Sequence, residues 1–121
     1  MKDLEQLRAA NAWKQISKDG NREYVNSAKS APALIMNNGL MQTLAFLKSK
    51  GKDDLCRHVC SWLLTQVFNS NETGDGDVQQ LFILVMTKLH VSDSSDYRRA
   101  TEEALAYLRW VRQFASALTK E

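Results

Sequence analysis

The chain has 121 residues, enough for one core and short of two full domains. Hydrophobic residues are 44% and charged residues 25%, with 16 Lys and Arg against 14 Asp and Glu, which excludes a disordered tail, a fibre and a uniformly basic nucleic-acid trap. One Pro and five Gly leave long stretches free for helices, and two Cys are too few for a secreted disulfide framework.

Residues 3 to 18 place Leu4, Leu7, Ala12, Trp13 and Ile16 at helical spacing among Lys, Arg, Glu and Gln, with Asp19 and Gly20 as the stop. No apolar export region stands among them, so a cytoplasmic protein is expected. A second helix begins at Arg22 and should kink or restart at Pro32, which lacks a backbone donor and crowds the carbonyl four residues earlier. Asn37, Asn38 and Gly39 make a short break, with Asn available to cap the next helix. Leu40 to about Lys50 forms a third helix on the stripe Leu40, Leu44 and Leu47, and Gly51 ends it.

Asp53 or Asp54 opens a fourth helix, whose run Leu55, Cys56, Val59, Cys60, Leu63, Leu64, Val67 and Phe68 belongs at the centre of the core. Residues 69 to 77 hold three acids, two Gly and no large apolar group, and read as a mobile loop. Leu81 to Met86 is the longest apolar run, far below the roughly 18 residues that cross a bilayer. It could be a buried strand, but no second strand exists to pair with it, so a fifth helix is expected. Ser92 to Ser95 supply caps for a sixth helix reaching about Leu118, with Tyr97, Thr101, Ala104, Leu108, Val111, Ala115 and Leu118 inward. The expectation is one all-α domain over residues 1–121, a single compact bundle of about six helices.

Cys56, His58 and Cys60 suggest metal ligands, but at 100° per residue His58 points about 200° from Cys56, so one helix cannot aim all three at one ion. The thiols read as apolar filler. A nucleophilic Cys would need the fold to bring His90 to it. Glu102 and Glu103 are adjacent and diverge by about 100°, which suits solvated charges, paired at i, i+4 with Arg98 and Arg99, better than an acid and base pair. No phosphate loop, nucleophile elbow or zinc-protease motif occurs, so no catalytic residue, cofactor or metal site is expected.

Charge is unevenly distributed. No acid lies between Glu23 and Asp53, where Lys29, Lys48, Lys50 and Lys52 add four positive charges; residues 1–60 carry +4 and residues 61–121 carry −2. Asn37, Asn38 and Gln42 lie in the same window and can hydrogen-bond phosphate or sugar while Lys supplies attraction. Alternatively, the lysines only solubilise helix ends and the asparagines only cap. Arg109 and Arg112 form a second candidate patch near an exposed Trp110, itself either edge packing or an anchor for a partner.

Two stretches, YVNSAKSAPALIMNNGLMQTLAFLKSKGK from Tyr24 to Lys52 and EALAYLRWVRQFASAL from Glu103 to Leu118, resemble the small subunit of the type III-B CRISPR RNA-silencing (Cmr) effector complex. The first is the more specific, with Ala-Lys, Pro-Ala-Leu-Ile, Asn-Gly-Leu and Gln-Thr-Leu-Ala-Phe in order. The resemblance implies a non-catalytic helical subunit in antiviral defence, present in several copies. It would stack along a filament beside other Cmr subunits and help hold guide and target RNA, without a small-molecule substrate or a membrane. Its RNA-binding candidates here are Lys29, Asn37, Asn38, Gln42, Lys48, Lys50, Lys52, Arg109 and Arg112. A protein–protein spacer that never touches RNA is the alternative.

Overall fold

The computed structural model describes residues 2–70 and 76–118. Among them are six helices and no strand: α1 (Leu4–Asp19), α2 (Arg22–Asn38), α3 (Leu40–Ser49), α4 (Asp53–Gln66), α5 (Val78–Val91) and α6 (Ser94–Leu118). Residues 71–75 of the expected mobile loop lie outside the described residues. The apolar run 81–86 is helical and lies within α5.

Helix ends follow local chemistry. The Asp3 side chain accepts from the Gln6 N–H while Gln6 accepts from the Asp3 N–H, a reciprocal box that satisfies two donors at the start of α1. Asn21 Oδ1 accepts from the Tyr24 N–H at 2.9 Å, and Asp93 Oδ1 does the same for Asp96 at 2.8 Å, so α2 and α6 also begin on capped turns. Gly39, not an asparagine, stands between α2 and α3; its φ of 90° and ψ of 162° are open essentially to glycine alone.

Pro32 lies inside α2, which runs through it without the restart that its ring allowed. Ala28, Ala31 and Ile35 around it are buried in the core, and that packing holds the helix through the missing hydrogen bond.

The core lies between α4 and α6. From Leu55 to Leu64, α4 buries every residue except Arg57, which is half-buried. α6 packs along α1 and α2 and crosses α4; α5 covers the far side of α4, and α3 folds back beside α2. The buried stripe of α6 is Ala100, Glu103, Ala104, Tyr107, Leu108, Val111 and Ala115. Tyr97 and Thr101, expected inside, are half-buried, and Leu118 is 45% exposed.

Candidate nucleic-acid interface

α2 and α3 form an antiparallel hairpin. At its closed end is Gly39; at its open end Lys52 Nζ stands 3.4 Å from Glu23 Oε2, joining a residue just after α3 to the first turn of α2. Thr43, buried, donates its hydroxyl to the Gly39 carbonyl at 2.9 Å, and the Met41 N–H donates to the Tyr97 hydroxyl at 3.0 Å, which ties the corner to the first turns of α6. On this braced corner Asn37, Asn38 and Gln42 are exposed and line one groove with Leu34, Thr43 and Phe46.

The lysines lie elsewhere on the hairpin. Lys50 is about 12 Å along α3 from Gln42, at the rise of 1.5 Å per residue. Lys50 is exposed, its ammonium 5.8 Å from the centroid of the Phe46 ring; Lys48 is half-buried. Lys29 is on the exposed side of α2. The acid-free window does not survive folding intact, because Glu23 returns to Lys52 and Asp53 and Asp54 line the same small pocket as that pair. Arg109 and Arg112 are exposed on the second half of α6, roughly 18 Å of helix beyond Tyr97. The structure thus gathers Asn37, Asn38 and Gln42, links them to Lys50 through Phe46, and leaves the two arginines apart. Phe46 is not among the residues that charge and hydropathy single out, although Gln42 and Phe46 stand at i, i+4 on one face of α3, with Lys50 just past its end.

Trp110 is half-buried, not exposed. Its indole N–H donates to Glu5 Oε1 at 3.0 Å and its ring leans on Phe114, which meets Trp13 edge-on at 5.2 Å between centroids. This is edge packing that seals α1 against α6. Hydrogen bonds from Trp110 and Arg8 lower the Glu5 pKa.

Glu103 is buried as well, where two adjacent solvated charges were expected. Arg8 Nε and Nη2 donate to its two oxygens at 2.7 and 2.8 Å, and the Trp62 indole N–H donates at 2.8 Å. Arg99 therefore turns away from it, to the Val67 carbonyl at 3.4 Å. The carboxylate holds the Arg8 guanidinium firmly protonated.

His58, fully buried, has Nε2 at 2.9 Å from Asp19 Oδ2 and Nδ1 at 2.6 Å from the Tyr24 hydroxyl. Burial pushes the Tyr24 hydroxyl pKa up, so it stays protonated and donates to Nδ1, and the ring gives its Nε2 proton to Asp19. Burial lowers the His58 pKa against the opposing pull of Asp19, favouring the neutral ring. Cys56 and Cys60 face another side of α4, with Sγ atoms 3.9 Å apart and both fully buried; their contact and burial raise the Cys60 pKa well above the usual thiol range. Inert packing suits such thiols. Among the described residues no three His, Cys, Asp or Glu side chains are placed to hold a metal ion. No described helix is long and apolar enough to cross a membrane.

The described residues thus form an all-helical bundle with an open polar and aromatic groove on one hairpin, and its buried Glu103 and His58 are held by hydrogen bonds within the fold. The chain belongs to the family described as CRISPR-associated protein (Cas_Cmr5), which matches residues 4–118. It is 30% identical over 125 residues to the CRISPR system Cmr subunit Cmr5 of Thermus thermophilus, covering 100% of both chains. It is also 28% identical over 110 residues to the subunit of the same name from Thermotoga maritima, covering 91% of this chain and 78% of the relative. It is thus a small subunit of the type III-B Cmr complex.

Proposed function

We propose that this subunit is non-catalytic and acts in the cytoplasm as one helical domain. Further copies of itself stand beside it, and it helps hold guide and target RNA along the α2–α3 hairpin. The observation that carries this reading is the exposed set of Asn38 at the end of α2, Gln42 and Phe46 on one face of α3, and Lys50 just past its end, which brings amides, an aromatic ring and an ammonium onto one hairpin of a chain whose relatives are Cmr subunits. Lys29 and Lys48 add charge to the same hairpin. Few phosphates are met per copy, so repetition along the assembly multiplies a weak contact.

The test is the assembled complex carrying Lys48→Glu and Lys50→Glu. Target-RNA affinity should fall, and the slope of log K against log salt should drop by about 1–2, one unit or slightly less per lost phosphate contact. Lys52→Glu tests the third lysine separately, because its ammonium is already engaged by Glu23. Unchanged affinity and slope in the double variant would reject RNA contact here.

A second reading, a spacer that touches only protein, draws on Ile83 and Val91, which leave 51% and 76% of their surfaces open on the outer side of α5. Crosslinking RNA to the assembled complex separates the two, since a spacer yields no adduct on α2 or α3.

A further inference from the structure

Phe46 is the exposed member of the four phenylalanines; Phe68, Phe82 and Phe114 pack against the core. A single open apolar side chain is ordinary. Its neighbours make this one unusual. The groove that Phe46 lines is walled by Asn37, Asn38, Gln42 and Thr43, with Leu34 as its other apolar member. A protein-docking pocket would surround an aromatic anchor with apolar residues. Here primary amides surround it, each carrying a donor pair and an acceptor. Gln42 is one helical turn from Phe46, about 6 Å along the axis, and both line the same groove. One turn further the other way, the Lys50 ammonium lies over the Phe46 ring, 5.8 Å from its centroid, a cation–π contact that a base stacking on that face would displace toward its own phosphate.

We propose that the groove between α2 and α3 is a site for one unpaired RNA base, stacked on Phe46, met at its edge by Asn37, Asn38 and Gln42, and followed by its phosphate at Lys50. This rests on the RNA reading above and narrows it. A base within an A-form duplex has both faces covered by its neighbours and cannot offer one to Phe46, whereas a single strand or an unstacked nucleotide can. The amides accept any base edge, so the site tolerates sequence.

The test uses the assembled complex with Phe46→Ala, Phe46→Leu and Phe46→Tyr. The probes are single-stranded target RNA carrying 2-aminopurine at successive positions and an A-form RNA duplex of the same length. Alanine and leucine should each weaken single-strand binding about tenfold with an unchanged salt slope, and tyrosine should preserve it. Leucine keeps apolar volume without a π face, so a merely structural role would be met by leucine. Duplex affinity should not move, and 2-aminopurine at one position should be quenched by Phe but not by Leu.

Equal single-strand affinity for wild type and the leucine variant overturns the base site. If that result accompanies a reduced salt slope in the Lys48→Glu, Lys50→Glu complex, the hairpin still meets RNA and only the base site fails. If neither set changes binding, both readings fail. Loss of a neighbouring subunit from the Phe46→Ala complex, with RNA affinity intact, makes the groove a protein contact and also overturns the proposal.

Discussion

Glu103 takes three donors from two helices, and each of those groups is hidden from water. Replacing it by alanine leaves the Arg8 guanidinium, only 16% exposed in its side chain, without its main partner, and a buried indole N–H with none. That should cost about 3–5 kcal/mol, the scale for breaking one half of a buried ion pair. Trp62→Phe removes one bond and leaves Arg8 paired, so about 1–2 kcal/mol is expected. Urea unfolding midpoints at neutral pH would rank the two. Such residues are poorly legible from sequence for a reason Glu103 makes plain. Spacing within α6 says only that Glu102 and Glu103 diverge; which one turns inward depends on Arg8, 95 positions away. His58 is similar, since its neighbours on α4 do not reveal Asp19 and Tyr24. Phe46 is legible in principle, because the stripe Leu40, Leu44 and Leu47 leaves it on the opposite side of α3.

The α2–α3 hairpin turns on Gly39. A Cβ there would meet only the Tyr97 hydroxyl, at 3.9 Å, so space is not the obstacle; the backbone conformation is. Gly39→Ala should cost about 1–3 kcal/mol and disturb the corner that carries Asn37, Asn38 and Gln42. Gly51→Ala, at a φ of 72° with open space around it, should cost about 1 kcal/mol. Thermal unfolding of the two variants side by side checks the order. Helix limits are largely visible in the sequence because punctuation is local: Asp3, Asn21, Gly39 and Asp93 sit at or beside the ends they make. At Pro32 the sequence allows a restart that α2 does not show, because the penalty is local while its compensation, the packing of α2 along α6, is not.

Across the whole molecule, the relay Asp19, His58 and Tyr24 joins the end of α1, the start of α2 and the middle of α4. Arg57 extends it, donating to Asp54 and, at 3.5 Å, to Asp19. Folding lowers the His58 pKa, so below the unfolded value near 6.5 the unfolded chain gains a proton that the native one resists. Stability is therefore full above about pH 7 and declines on acidification, by at most about 1.4 kcal/mol per pH unit, until the native ring also protonates. His58→Gln should unfold at a lower temperature at pH 7 yet show a flatter dependence between pH 7 and 5, read by circular dichroism. At this scale the candidate interface is half legible. In sequence, the window between Glu23 and Asp53 reads as one basic corner. The hairpin instead spreads its lysines along its length, reaching the amide groove only through Lys50 and Phe46, and brings Glu23 back to Lys52.

The seam between the first and last helices has a further consequence for synthesis. Arg8 bonds Glu103 and Asn11 bonds Tyr107, partners 95 and 96 positions later in the chain. At about 5–20 residues per second, α1 emerges from the ribosome roughly 5–20 s before its partner helix exists. During that interval Ala12 and Ile16, buried in the finished fold, lack the helix that α1 chiefly packs against, and the α1 face stays open until translation of α6 closes the bundle.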